Sequence, residues 1–226
     1  MGFKKDIFYV TADAVVFTIM KEQLKILLIK RGQAPFKGSF ALPGGFVEID
    51  EDIYSACQRE LRDETGVNNI YLKPLKIYAK PDRDPRGRVL TIPFLALTDS
   101  SIIELHASHD ADLAKWHSVY ELPKLAFDHE SIIKDALQQL RLEIQTTNIA
   151  NQLMPSKFTL TELQKAYEIV LDKNLDKRNF RKRIDYLGIL RPLNELKTEG
   201  AHRPAQLFCF KTKKYETMKD KIYVMM

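Results

Sequence analysis

The stretch that most constrains this chain runs from Gly45 to Val67, GFVEIDEDIYSACQRELRDETGV. It reads as a glycine, five residues, Glu51, seven residues, and then Arg59-Glu60-Leu61-Arg62-Asp63-Glu64-Thr65-Gly66-Val67. The segment after Asp50 is expected to be a helix. Asp50, Glu51 and Asp52 suit the positive end of its dipole, and Gly66 is a natural C-terminal stop. At 3.6 residues per turn, Glu60 and Glu64 share a face with Asp63 beside them. Ile53, Cys57 and Leu61 form an adjacent apolar face that can pack on a sheet. Three carboxylates crowded on one turn repel unless a cation sits among them. Hard oxygen ligands of this kind suit Mg2+, which keeps waters free for a phosphate substrate.

That spacing resembles the Nudix box, G-x5-E-x7-R-E-U-x-E-E-x-G-U with U an aliphatic residue. Every specified position matches except Asp63, where the family has Glu. The resemblance implies an α/β/α sandwich and a divalent metal on Glu60, Asp63, Glu64 and the carbonyl of Gly44. It implies catalytic roles for Glu60 and Glu64 if the protein is a hydrolase, and an Arg59–Glu51 pair joining loop to helix. Asp63 is one methylene shorter than Glu and withdraws a ligand by ~1.5 Å, about one carbon–carbon bond. Hydrolysis is sensitive to misplacement of that order, so weak or absent turnover is expected.

The first half otherwise reads as strands and loops. Phe8 to Ile19 and Leu24 to Ile29 are apolar, β-branched runs around the polar turn Lys21-Glu22-Gln23, a hairpin pattern. Pro43-Gly44-Gly45 lets the backbone approach a metal or phosphate closely. Ile70 to Tyr78 and Val89 to Leu97 are expected strands, joined by the charged loop Asp82-Arg83-Asp84-Pro85-Arg86-Gly87-Arg88. That loop is either a solvated hairpin end or a binding loop in which Arg83, Arg86 and Arg88, with Glu60, reach an anionic or sugar ligand. Trp116 and Phe127 are expected in the core, and His129 at the start of a helix. The helix itself is expected from Ser131 to Thr147, with Ile132, Ile133, Ala136, Leu137, Leu140 and Ile144 on its apolar side. VTADAVVF, LLIKRGQAPFKGSFALPGGFV and DRDPRG resemble the Nudix branch shared by ADP-ribose pyrophosphatases and NrtR-type regulators.

Charge divides the chain. From Asn148 to Met226 lie 16 of the 35 Lys and Arg but 9 of the 30 Asp and Glu, a net of +7, which leaves −2 for the rest of the chain. A basic module on a slightly acidic one points to a polyanion partner. Domains at residues 1–147 and 148–226 are expected. In the second, Leu160 to Leu171 follows helical spacing with Thr159 or Thr161 as cap, and Asp172 to Leu175 is a short turn. Asp176 to Gly188 bounds another helix whose buried stripe is Phe180, Ile184 and Leu187. Arg178, Arg181 and Lys182 are expected to face away from that stripe, with Lys177 and Asn179 on the flanks. A basic helix after a short turn is what a helix-turn-helix reader requires. Two strands around His202 and Arg203 fit a wing, so those residues join the expected DNA contacts.

The segment FTLTELQKAYEIVLDKNLDKRNFRKRIDYLGIL with GAHRPAQLF is similar to the winged helix that follows the Nudix domain in the NrtR family. Within that architecture the chain resembles most the arabinose-responsive AraR type. The resemblance implies a homodimeric transcriptional regulator whose Nudix-like domain binds an effector of the arabinose or ADP-ribose class and releases double-stranded operator DNA. The alternative is a Mg2+-dependent ADP-ribose or nucleoside-diphosphate-sugar pyrophosphatase. Cys57 and Cys209 are the two cysteines, outside any metal spacing, and no apolar run approaches the ~20 residues needed to cross a bilayer. No membrane partner and a cytoplasmic location are therefore expected.

Overall fold

The computed structural model describes residues 7–68, 70–100, 111–198, 204–212 and 214–218. The chain folds as two compact units. One comprises Met1–Phe17, Lys25–Leu97 and Ile103–Ala136; the other comprises Thr18–Leu24, Thr98–Ile102 and Leu137–Met226.

The first part of the chain builds one mixed sheet. The strands are β1 (Tyr9–Met20), β2 (Gln23–Arg31), β3 (Phe40–Ala41), β4 (Gly44–Phe46), β5 (Tyr71–Pro74), β6 (Val89–Leu97) and β7 (Ala111–Ser118). Their order is β3-β2-β1-β6-β5, with β4 paired to β1 and β7 to β2. β1 and β6 run parallel from Tyr9↔Val89 to Phe17↔Leu97. Every residue of β1 from Thr11 to Thr18 is buried, as a strand covered on both faces should be. The hairpin turns through Lys21 and Glu22, both at positive φ.

Helix α1 (Ile53–Thr65) starts at Asp52, whose carboxylate accepts from the Tyr54 and Ser55 N–H groups, and stops at Gly66 in the left-handed region. Ala56, Cys57 and Leu61 seat it on a core containing Ala12, Ala14, Val16, Phe94 and Ala96. Burial pushes the Cys57 thiol up to about 12, so it is a core group. The expected strand from Ile70 to Tyr78 stops at Pro74, which cannot donate to a ladder. Tyr78 returns only as an isolated bridge to Thr91. β7 was not expected, because ADLAKWHS carries little β-branched content; it holds Trp116 opposite Leu27 and against the core. Helix α2 (His129–Thr146) begins two residues before the expected Ser131, where Ser131 and Ile132 N–H groups donate to the Asp128 carbonyl.

The second part holds β8 (Phe158–Thr159), α3 (Leu160–Leu171), α4 (Lys177–Leu187), β9 (Leu190–Lys197) and β10 (Ala205–Phe210), with a three-stranded sheet in the order β8-β10-β9. Thr159 caps α3 in a reciprocal box with Glu162. Asp172 ends α3 and Gly188 ends α4, both left-handed. Phe158, Leu163, Tyr167, Val170, Phe180 and Ile184 are buried, with the Tyr167 and Phe180 rings edge to face at 5.3 Å. Two helices across a tight turn, followed by antiparallel strands, form a winged helix.

Candidate functional site

The first site is built where α1 meets the Pro43-Gly44-Gly45 turn. The Gly44 N–H donates to Glu64 Oε2 at 2.8 Å. A Cβ on Gly45 would stand 2.2 Å from Glu60 Oε1, and one on Gly44 2.6 Å from Asp13 Oδ1. Only glycine lets backbone and carboxylates meet so closely. Arg59 ties this together. Its Nε and Nη2 donate to Glu51 at 3.0 and 2.6 Å, its Nη1 to Glu60 Oε1 at 2.7 Å, and its Nη2 also to the Phe46 carbonyl at 3.1 Å. The Arg59–Glu51 pair expected from the box is therefore present, and its hydrogen bond holds Glu51 below the usual carboxylate range.

Burial pushes the Glu64 carboxyl up to about 8. The Glu60 and Asp13 charges add to the rise, and the Gly44 N–H and Arg31 oppose it. Burial raises Glu60 too, with Arg59 opposing. A carboxyl raised this far by burial, with two further carboxylates beside it, is a place short of positive charge. Glu60 Oε2 and Glu64 Oε1 take no hydrogen bond from the protein among the described residues, so both fit as oxygen donors to a divalent ion.

Asp63, the third expected ligand, is 51% exposed and accepts from Arg62 Nε at 2.8 Å. Its charge still acts on Glu60, so it stands beside that carboxylate. Among the described residues no three His, Cys, Asp or Glu side chains gather as a metal group. Gly44 contributes its N–H to Glu64, as the geometry above shows.

A cleft of about 70 Å³ opens beside these carboxylates, lined by Thr11, Asp13, Arg31, Gly44, Phe46, Arg83, Arg86, Phe127 and His129 among others. The three loop arginines are placed differently from one another. Arg83 lies in the cleft wall, its side chain 3% exposed, and grips Asp128 with Nε at 3.1 Å and Nη2 at 2.8 Å. Arg86 grips Asp84 and rests over the Phe46 and Phe127 rings at 4.8 and 5.5 Å. Arg88 does not line the cleft; its guanidinium lies over Phe8 at 4.9 Å and donates to the Ala79 carbonyl. His129 begins α2 as expected. Burial lowers the pKa of its imidazole, and Nδ1 accepts from the Leu42 N–H at 2.9 Å.

Phe127, expected only in the core, is half-buried at φ 52° and also forms a cleft wall. Asp13, Arg31 and Phe46 were not singled out in the sequence. Asp13 interrupts the apolar run of β1 and Arg31 ends that of β2, and those interruptions were the available signal.

The Arg83–Asp128 pair gives a stability expectation. Arg83→Ala leaves a carboxylate that is 20% exposed without its partner. A broken buried pair costs ~3–5 kcal/mol, and the partial exposure of Asp128 places this one near the lower end. Thermal melting should show that loss, and an Arg83→Ala/Asp128→Ala double variant should lose less than the two single variants together.

The second site is the outer face of α4. Asp176 caps it, accepting from the Asn179 N–H at 2.8 Å. Phe180 and Ile184 are buried and Leu187 half-buried, whereas Lys177, Arg178, Asn179, Arg181 and Lys182 are all exposed. The five expected DNA contacts on this helix thus share its solvent side. His202 and Arg203 lie outside the described residues.

A Nudix-type carboxylate cleft followed by a winged helix defines a regulator class, and comparison with known proteins agrees. Residues 10–138 match the NUDIX domain, and residues 150–210 match the NrtR DNA-binding winged helix domain. The chain is 36% identical over 210 residues, 91% of itself and 83% of the relative, to the ADPR responsive transcriptional repressor NtrR of Acinetobacter baylyi. It is 47% identical over 135 residues, 60% of itself and 79% of the relative, to an ADP-ribose pyrophosphatase of Methanocaldococcus jannaschii. Shewanella oneidensis NrtR, crystallised with a 27mer DNA, superposes with a TM-score of 0.77 at 32% identity, covering 89% of this chain and 93% of that one. The NUDIX domain of the same protein, crystallised with ADP ribose, gives 0.57 at 33% identity over 60% and 90%. This chain belongs to the NrtR family of Nudix-related transcriptional regulators. The expected kinship to arabinose-responsive regulators is not supported, because the matched winged helix and the full-length relatives are of the NrtR kind.

Proposed function

We propose that the protein is a repressor whose Nudix cleft binds ADP-ribose or a closely related nucleoside diphosphate sugar, and whose winged helix then leaves its operator. The observation that carries this reading is one polypeptide holding both a carboxylate and arginine cleft and the exposed basic face of α4. The relatives support the ligand class, since one is named as ADPR responsive and a NUDIX domain was crystallised with ADP ribose. A cleft of about 70 Å³ is small beside the ~300–1,000 Å³ of enclosed ligand pockets. It suits the diphosphate centre of such a ligand, with the remainder lying over open surface.

DNA contact is assigned to Lys177, Arg178, Asn179, Arg181 and Lys182, and from the sequence to His202 and Arg203. A single winged helix buries little surface, so a homodimer on a palindrome is the working assembly. Among the described residues no helix is long and apolar enough to cross a membrane, and a cytoplasmic location accords with this role. A thermal-shift screen of ADP-ribose, other nucleotide sugars and free sugars tests the ligand class. A ligand at 100 times its dissociation constant adds ~2.7 kcal/mol of stability, and a response to arabinose but not ADP-ribose would contradict the reading.

A pyrophosphatase is the second reading, favoured by Glu60, Glu64 and the Methanocaldococcus jannaschii relative. Glu60 and Glu64 would hold Mg2+, which when bound stabilises negative charge building on a phosphoryl group. With Asp63 turned to Arg62, turnover of ADP-ribose with Mg2+ is expected to be weak, and Asp63→Glu to raise it. Product assays on the wild type, Asp63→Glu and Glu64→Gln decide between the readings. Robust wild-type turnover abolished by Glu64→Gln would put the enzyme first.

A further inference from the structure

We propose that Gln164 and Glu168 of α3 are positioning residues for DNA reading, a clasp on Leu175 that sets the direction in which α4 leaves the turn; the claim rests on α4 as the DNA reader. The two residues are four apart, so their side chains stand one above the other on one face of α3. Both are half-buried. Gln164 Nε2 donates to Glu168 Oε1 at 3.0 Å and to the Leu175 carbonyl at 2.9 Å. The same Glu168 Oε1 accepts from the Leu175 N–H at 2.9 Å. Leu175 is thereby held, through its N–H and its carbonyl, by side chains of the preceding helix.

Glu168 also fixes the other end of the turn. Its backbone carbonyl accepts from the Asp172 and Lys173 N–H groups, where Asp172 leaves α3 in the left-handed region. Arg141 of α2 holds the same end of α3, with Nε donating to the Val170 carbonyl at 3.0 Å. Asp176 follows Leu175 directly and starts α4. Its side chain accepts from the Asn179 N–H and its carbonyl from the Phe180 N–H. The reader helix therefore departs from a peptide that α3 has already fixed.

Keeping α4 packed does not require such a clasp. Phe180 and Ile184 are buried, and the Phe180 ring meets that of Tyr167 edge to face. Apolar burial is non-directional, so it holds α4 down without fixing its tilt, whereas the hydrogen bonds at Leu175 are directional. Arg181 and Lys182 lie ~8 Å along the helix from its start, so a swing of ~10° about Leu175 moves them by roughly 1.4 Å. A base-edge hydrogen bond tolerates only ~0.5 Å. Attraction to the phosphate backbone decays over ~10 Å and hardly changes with such a shift. The clasp thus acts on base reading and leaves backbone attraction nearly as it was.

The test uses the full chain and fluorescence anisotropy at several salt concentrations, with two duplexes. One is selected with the wild-type protein from a random-sequence library, and the other is a scrambled duplex of the same composition. Gln164→Met keeps length, charge and helix propensity but removes both hydrogen bonds. It is expected to weaken binding of the selected duplex by on the order of 10- to 100-fold, the effect of about one lost base contact. Affinity for the scrambled duplex and its salt slope should stay as in the wild type. Glu168→Gln keeps an oxygen that accepts from Leu175 and Gln164, and should retain most of the selectivity that Glu168→Met loses. Circular dichroism checks that each variant is folded; if Gln164→Met is not, Gln164→Ala decides. A lower melting temperature with unchanged selectivity, or an equal loss on both duplexes, overturns the positioning role and leaves α4 as the reader. A wild type that binds the scrambled duplex as tightly as the selected one overturns the reader assignment, and the clasp's role with it.

Discussion

Replacing Arg178, Arg181 and Lys182 together by alanine is expected to lower DNA affinity by roughly 100-fold or more at physiological salt. The three side chains are exposed on α4, whose buried residues are Phe180 and Ile184. A recognition helix places that face in the major groove. A lost base contact costs ~1–3 kcal/mol at its position, and each lost phosphate contact lowers the salt slope by about one. Even at the low end, three losses sum to ~3 kcal/mol, and ~1.4 kcal/mol is a factor of ten. The probe is a duplex selected from a random-sequence library with the wild-type protein, titrated by fluorescence anisotropy at several salt concentrations. The variant should stay folded, because the helix is held by its Asp176 cap and its buried face, which the substitutions leave alone. Unchanged affinity and unchanged salt slope would remove α4 as the DNA reader.

How much of this was legible in the sequence depended on whether the signal was local. α1 was read to the residue at its stop, Gly66, and two residues early at its start, where Asp52 is the acid that caps it. α3 and α4 were read equally well for the same reason, through Thr159, Asp172, Asp176 and Gly188. Strand ends were poorer. Pro74 cut β5 short, and β7 lacks the composition of a strand and is held in place by pairing with β2. In the cleft, the glycine turn, Glu60 and Glu64 were readable as a motif. The fate of each arginine was not, because it depends on which carboxylate the fold brings to it. Asp128 takes Arg83 across 45 residues. Asp84 takes Arg86, and among the described residues no carboxylate takes Arg31. The pairing of Asp63 with Arg62 likewise needed the structure.

The central claim is that ligand in the cleft weakens DNA binding, and the sensor offers a physical route. The loop between β5 and β6 is pinned to α2 at two places. Arg83 holds Asp128 just before the helix, while Tyr78 and Lys76 both hold Asp135 further along it. Arg86 in that same loop faces the cleft. Anything that repositions the loop on binding therefore acts on the first turns of α2. In a dimer, half-sites one turn apart demand ~34–36 Å between recognition helices, so a shift of several ångströms weakens binding. The ligand must bind more tightly to the conformation that misplaces the readers, and couplings of this kind are ~1–3 kcal/mol, about 5- to 150-fold. The most direct test is the affinity for the selected duplex, by fluorescence anisotropy, with and without saturating ADP-ribose. The account predicts a fall within that range. Equal affinity would contradict it, and tighter binding would reverse its sign and make the ligand a co-repressor.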